Sequence, residues 1–245
     1  MNSAKIIVIE GTDGSGKETQ SKKLYEYLVN NGYRVKRYSF PIYESATGKI
    51  IGGPYLGKKE ICDSYFKETS ANVDPIVSSL YYAADRRYNF LNEIEDELYK
   101  NDVIILDRYT TSNMGHQISK AKNDIEREQL LKFIDTLEYD LCQLPRPDIV
   151  LFLHMSLDAS KYLMKDRKYS DGNESNIEHL KKSEETYLWL CNYYNWEYIN
   201  CLNNKVFNKK EDIKTIEEIH NEIVLKVDKL LKDKKNNRVM RMTRF

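Results

Sequence analysis

The stretch Glu10-Gly11-Thr12-Asp13-Gly14-Ser15-Gly16-Lys17-Glu18-Thr19-Gln20 sets three glycines around two hydroxyls and an acid, then a lysine. Glycine admits backbone angles that a Cβ forbids, so Gly11, Gly14 and Gly16 let successive N–H groups turn inward around one anion. Lys17 puts an ammonium within reach of the outer phosphates. A helix starting there adds its unpaired N–H groups and the positive end of its dipole. Gly11, Asp13, Gly14, Ser15, Gly16, Lys17, Glu18 and Thr19 thus form a candidate cradle for a nucleoside triphosphate. The plainer alternative is a glycine turn before an ordinary helix. A strict loop of this type ends Gly-Lys-Ser/Thr, because the hydroxyl ligates magnesium. Here that position is Glu18, and a carboxylate beside a triphosphate is repelled unless a cation lies between them. Glu18 is therefore expected to bind Mg²⁺ directly or through water. Thr19 lies one residue further round the helix and is a poor geometric substitute.

Three further groups could join that chemistry. The apolar run Val103-Ile104-Ile105-Leu106 stops at Asp107-Arg108, which places Asp107 to hold Mg²⁺ or its water and Arg108 to take a phosphate bidentately. The alternative is a surface ion pair at a strand end. Arg167, between Lys165 and Lys168 in a polar, glycine-containing stretch, is the candidate to close on a transferred phosphoryl group; a solvated charged loop would have the same composition. Tyr82 and Arg86 lie four apart on one helix face, where a ring and a guanidinium could stack on a base and donate to its carbonyl edge. Read without neighbours, they would be core and surface.

The elements that must position these residues follow from periodicity. Ile6-Ile7-Val8-Ile9 predicts a strand before the glycine loop, and Ser21 to Val29 a helix closed by Asn30-Asn31-Gly32. Tyr33 to Phe40 alternates as a second strand ending at Pro41. Residues 42–72 mix Gly, Pro and Lys around short apolar pieces and read as a short helix and a long surface excursion over the site. Asp74-Pro75 starts a helix running to about Lys100. After the third strand comes a helix from about Asn123 to Cys142, then a strand from Ile149 to Leu153 ending in His154. A helix from Asp158 to Lys165, a second from Ile177 to Tyr194 and a strand from Trp196 to Cys201 follow, and Asp212 is the expected cap of a last helix to about Leu231. Buried strands alternating with helices give an α/β fold: three layers, α/β/α, around a five-stranded parallel sheet whose ligands sit at the strands' carboxyl ends.

The 245 residues carry 38 Lys+Arg against 38 Asp+Glu, a balance that suggests neither a general nucleic-acid binder nor a membrane-surface protein. One domain over 1–233 is expected, with a small mobile lid at about 166–176 and a basic tail, 234–245, read as a solvated end. The four cysteines show no metal-ligand spacing and read as reduced, packed thiols. No stretch approaches membrane-spanning length, and the first apolar run is already the first strand, so a cytoplasmic protein is expected.

Taken together, the glycine loop, Phe40-Pro41, Tyr82-Tyr-Ala-Ala-Asp-Arg86, Asp107-Arg-Tyr-Thr-Thr-Ser-Asn113 and Leu144-Pro-Arg-Pro-Asp148 resemble the thymidylate kinase family of P-loop nucleoside monophosphate kinases, over nearly the whole chain. The resemblance implies transfer of a phosphoryl group from ATP to dTMP, with Mg²⁺, in a cytoplasmic homodimer. It implies that Lys17 and the loop amides bind ATP phosphates and that Asp13 reaches the sugar 3′-hydroxyl. Tyr82 would lie under thymine and Arg86 at a base carbonyl. Arg108 would hold the acceptor phosphate, Phe40, Ser112 and Asn113 would line the acceptor pocket, and His116 and Gln117 would lie beside the sugar. Lys17, Arg108 and Arg167 are the expected catalytic cations; the resemblance implies that Asp107 serves the metal, with Glu18 expected beside it as argued above. The sequence departs from the family pattern in four places: Glu18, the absence of an arginine after Phe40-Pro41, His116 where many members have tyrosine, and a single arginine in the lid. Lys49 is a candidate to help Arg108. Two rivals remain open at this stage: a kinase of another deoxynucleoside monophosphate or of a deoxynucleoside, and a nucleotide-binding regulator without turnover.

Overall fold

A computed structural model describes residues 3–164, 177–204 and 206–242. Five strands, β1 (Lys5–Gly11), β2 (Val35–Ser39), β3 (Val103–Asp107), β4 (Ile149–His154) and β5 (Glu197–Asn200), form one parallel sheet in the order β2-β3-β1-β4-β5. Its register pairs Ile9 with Asp107 and Gly11 with Leu153, so the carboxyl ends of β1, β3 and β4 come out side by side.

Both faces of each central strand are apolar because successive side chains point to opposite sides. Ile7, Ile9, Val103, Ile105, Leu151 and Leu153 pack against α1 (Lys17–Asn30) and α9 (Ile216–Met242) through Leu24, Leu28, Ile223 and Val227. Ile6, Val8, Ile104 and Leu106 pack the other way, against Phe90, Ile94 and Leu98. Those three residues belong to the long segment that starts as α3 (Pro75–Asn89), passes through a π-helical turn at Phe90–Ile94 and ends as α4 (Glu95–Lys100). Asp74 caps it as expected, accepting hydrogen bonds from the N–H groups of Ile76 and Val77 at 2.9 and 3.0 Å. The three-layer α/β/α arrangement expected from the alternating strands and helices is the one found.

Four local expectations are corrected. First, α5 (Thr110–Ile118) lies directly after β3, in Thr-Thr-Ser-Asn-Met-Gly-His, where propensity argues against a helix. Tertiary packing holds it there: Met114 and Ile118 are buried among Leu130, Leu131, Ile134 and Leu190, from α6 (Asp124–Asp135) and α8 (Ile177–Tyr193). Second, the predicted helix to Cys142 is α6 followed by a π-helical turn at Thr136–Leu141. Third, Asp212 does not cap the last helix. It ends a short 3₁₀ turn and accepts from the N–H groups of Asn208 and Lys209, at 2.8 and 3.0 Å. Thr215 and Glu218 form the cap instead, each side chain accepting from the other's backbone N–H, and α9 runs on to Met242. Fourth, the excursion after β2 is more than surface. It holds α2 (Ala46–Ile50) and a π-helical turn at Ile51–Tyr55, and buries Ile51, Tyr55 and Val73 against Tyr43, Leu56, Phe66, Tyr81 and Tyr82. The expected lid, with Lys165, Arg167 and Lys168, lies outside the described residues. The described residues before it form α7 (Leu157–Met164).

Candidate active site

The glycine loop leaves β1 at Gly11, where a Cβ would stand 2.4 Å from the Leu153 carbonyl oxygen of β4; only glycine lets the two strands pair that closely. Gly14 and Gly16 have φ of 76° and 83°, left-handed angles that turn the loop back onto α1. Lys17 is buried, and its ammonium donates to the carbonyl oxygens of Gly11 and Thr12, at 2.9 and 2.8 Å. Burial and the nearby Arg108 pull its pKa down to about 8, against the opposing pull of Asp13, Glu10 and Asp107. The Ser15 hydroxyl is buried inside the loop with no protein partner.

β3 delivers the facing groups. Arg108 sits at φ 65°, a conformation that costs a non-glycine residue on the order of 1 kcal/mol. That turn redirects the chain from β3, and its guanidinium donates to Asp13 Oδ1 at 3.1 Å. Asp13 also lies 3.9 Å from the Lys17 ammonium. Burial works against its ionisation, but Lys17 and Arg108 outweigh it and hold the carboxyl well below the usual range. Asp107 faces the other way, 3.7 Å from Arg37 and 3.4 Å from the Ser21 hydroxyl, with its pKa raised by burial. Glu18 is exposed on the first turn of α1 and paired with Lys22 at 2.6 Å.

Two cavities open here. The outer one is lined by Asp13, Gly14, Gly16, Lys17, Glu18, Thr19, Asp107 and Arg108. The inner one is lined by Asp13, Phe40, Tyr82, Arg86, Arg108, Ser112, Asn113, His116 and Gln117, with Tyr43 and Leu56 from the excursion. Asp13, Phe40, Pro41, Tyr43 and Arg108 line both, so the cavities meet at the Asp13–Arg108 pair. The arrangement can hold an anionic chain on the loop and a planar polar group among Tyr82, Arg86 and Asn113, with cations at the junction.

Around the inner cavity, His116 stacks on His179 with ring centroids 5.8 Å apart and meets Tyr187 edge-on at 5.7 Å. Burial lowers its pKa to about 3 despite Asp13, so the imidazole is neutral. Lys49 is exposed on α2 and lines neither cavity. His154 is turned to Tyr198 and to Glu184 of α8, each at 2.7 Å, and likewise lines neither.

Two residues that sequence reasoning passed over hold this site together. Glu10 is fully buried; it accepts from the Gly11 N–H at 3.0 Å and from the hydroxyls of Thr111, Ser112 and Tyr187 at 2.7, 2.6 and 3.3 Å. One carboxylate thus ties the glycine loop to α5 and α8. Glu138, also fully buried, accepts from both Nε and Nη2 of Arg86 and, at 2.8 Å, from Asn113 Nδ2. For Glu10 the available signal was an acid ending the apolar run Ile6-Ile7-Val8-Ile9; Glu138, between Asp135 and Asp140, carried no such signal.

For a divalent cation, the described residues gather no group of three or more His, Cys, Asp or Glu side chains. What they offer are the carboxylates of Asp107 and Glu18 on the wall of one cavity. One or two carboxylates completed by water and phosphate oxygens is how Mg²⁺ is usually held beside a nucleotide, and these residues fit that pattern.

The chain resembles known proteins over most of its length. The family model described as thymidylate kinase matches residues 9–223. A probable thymidylate kinase of Thermococcus kodakarensis is 30% identical over 228 residues, covering 92% of this chain and 98% of that protein. The thymidylate kinase of Plasmodium falciparum is 30% identical over 231 residues, 92% of this chain and 90% of the other. Among solved structures, thymidylate kinase from Candida albicans superposes with a TM-score of 0.67 at 24% identity, covering 93% of each chain.

Proposed function

The chain belongs to the thymidylate kinase family and is a dTMP kinase, and from that premise we propose how its residues divide the transfer of a phosphoryl group from ATP to dTMP. One observation carries the assignment: the two cavities share the Asp13–Arg108 junction, so a phosphate chain on the glycine loop and an acceptor phosphate in the inner cavity would meet there. ATP phosphates lie on the amides of residues 11–19, and Lys17 exchanges its loop carbonyls for phosphate oxygens. In the inner cavity thymine stacks on Tyr82 with a carbonyl at Arg86, and Phe40, Ser112, Asn113 and Gln117 complete the wall. Asp13 accepts from the sugar hydroxyl, with the neutral His116 beside the sugar.

Phosphoryl transfer asks for positioning and charge stabilisation more than for covalent chemistry. Arg108 holds the acceptor phosphate in line with the donor. Asp13 and Glu10 outweigh the effect of burial and keep its guanidinium more firmly charged than usual. Lys17, and Arg167 from the expected lid, neutralise charge that develops on the transferred group. Asp107 and Glu18 would hold Mg²⁺, which would supply charge neutralisation on the phosphate oxygens. With no arginine after Phe40-Pro41, Arg108 carries the acceptor phosphate without help from Lys49.

The protein is further proposed to act as a cytoplasmic homodimer. Val77, Leu80, Tyr88 and Leu91, spaced to share a face of the α3 segment, are 38–50% exposed, an apolar stripe suited to a second copy. No helix among the described residues is long and apolar enough to cross a membrane.

Steady-state ADP release with Mg-ATP against dTMP, dUMP, dGMP, dCMP and thymidine, for wild type and Lys17→Ala, tests the assignment. Preference for dTMP that disappears in the variant is expected; turnover of thymidine in place of dTMP would overturn it.

A further inference from the structure

Glu138 stands behind the wall of the inner cavity, lining none of it, and two residues that do line it depend on its carboxylate. Arg86 is 3% exposed and gives Glu138 its Nε, at 3.0 Å, and Nη2, while Nη1 reaches the Tyr109 carbonyl oxygen at 3.4 Å. Asn113 is 2% exposed; its Nδ2 donates to Glu138 at 2.8 Å and to the Ser79 carbonyl oxygen at 3.3 Å. An ionised carboxylate and a backbone carbonyl have no proton to give, so both neighbours demand the NH₂ end of the amide. The opposite end, Asn113 Oδ1, is left buried with no protein partner.

We propose that Glu138 sets the base preference of the acceptor site, by fixing Asn113 as a hydrogen-bond acceptor beside the Arg86 donor. The inference rests on the dTMP-kinase reading above and adds to it a positioning residue that does not touch the base. A donor next to an acceptor complements an imide edge, a carbonyl beside a ring N–H, as in thymine and uracil. Cytosine offers the reverse, an amino group beside an unprotonated ring nitrogen, and would set lone pair against lone pair at Asn113. The same carboxylate supplies the counter-charge for a buried guanidinium, so that Arg86 keeps its donors in place without a ligand.

The test compares kcat/KM for dTMP and dCMP in the full-length enzyme. Glu138→Gln keeps the shape but brings an NH₂ of its own, so the Asn113 amide loses its shorter bond, is held in its present sense only by the 3.3 Å bond to the Ser79 carbonyl, and can turn over. The dTMP:dCMP ratio is expected to fall about 10- to 100-fold, the effect of one buried mispaired hydrogen bond. Glu138→Asp, still acceptor-only, is expected to retain most of the ratio. If Glu138→Gln does not fold, Asn113→Leu decides: it leaves the Arg86–Glu138 pair intact and removes the amide, and the ratio is again expected to fall. A merely structural Glu138 would lower both acceptors alike, and an unchanged ratio in Glu138→Gln, or in Asn113→Leu, overturns the proposal while leaving dTMP kinase activity standing. A wild type with no turnover of dTMP would instead defeat the reading beneath it.

Discussion

Gly115 of α5 is the position where one added methyl group should separate stability from acceptor use. A Cβ there would stand 2.2 Å from Cζ of Tyr187 and 2.4 and 2.6 Å from its two Cε atoms. Ordinary contact begins near 3.4 Å, so ring and helix must part by about 1.2 Å. The ring has nowhere to retreat: Tyr187 is 1% exposed, stacks on Phe152 at 5.5 Å, and its hydroxyl donates to Glu10. α5 must move, and it carries Ser112, Asn113, His116 and Gln117. Overpacking costs about 1–3 kcal/mol, offset by roughly 1 kcal/mol gained when alanine replaces glycine inside a helix. The net loss in Gly115→Ala is about 0–2 kcal/mol, a fall in Tm of no more than about 8 °C. A misplacement near 1 Å costs on the order of 100-fold in rate, so kcat/KM for dTMP should fall by about that factor. The KM for ATP should change less than this, because the glycine loop is anchored on β1 and α1 and meets α5 only through Glu10. Gly32→Ala is the control: φ is 80° there with open space around it, so only the backbone cost of about 1 kcal/mol applies and activity is unchanged. A Gly115→Ala enzyme with wild-type kcat/KM for dTMP would refute the reasoning.

Further outcomes follow from other parts of the site. Glu18→Ala should raise the Mg²⁺ concentration for half-maximal rate by about three- to tenfold, the effect of one carboxylate ligand; a superimposable magnesium titration would remove Glu18 from the metal's surroundings. His116 has a folded pKa of about 3 against an ordinary 6.5, so the unfolded chain takes up its proton first as the pH falls. Its contribution to stability is complete above pH 6.5 and is lost between 6.5 and 3, at up to about 1.4 kcal/mol per pH unit. His116→Gln should flatten the pH dependence of urea unfolding in that window, and an unaltered slope would count against a buried neutral imidazole. Leu80→Asp puts a charge in the middle of the exposed α3 stripe and should shift sedimentation to the monomer; an unchanged sedimentation coefficient would place the interface elsewhere.

The glycine loop, the strand before it and Asp107-Arg108 were legible because each is a local rule: glycine where φ is positive, β-branched residues in a buried strand, charge where a buried strand stops. That Tyr82 and Arg86 share the wall of one cavity was to be expected only through family resemblance, since a ring and a guanidinium four apart are equally at home on any amphipathic helix. α5 was not legible. Its residues are poor helix formers, and what holds it is packing against residues far along the chain, Met114 and Ile118 among Leu130, Leu131, Ile134 and Leu190, and Gly115 close to Tyr187, 72 positions away. Glu10 and Glu138 escaped for a related reason: an acid in a strand or a helix gives no sign of which distant donors will surround it. Asp212 misled because an Asp a few residues before a helix can serve an earlier turn as readily as the helix itself.

The sheet order has a consequence for how this site tolerates change. β1 and β3 are neighbours at the centre of the sheet, and Ile9 is paired with Asp107 just before the chain leaves for the glycine loop on one side and Arg108 on the other. The separation of the two phosphate-handling ends is therefore a ruler graduated in main-chain hydrogen bonds, about 4.8 Å per strand, whatever side chains the strands carry. Substitution can retune either end while the gauge between them stays constant, and a chain can drift far in sequence without losing the span across which the phosphoryl group must pass.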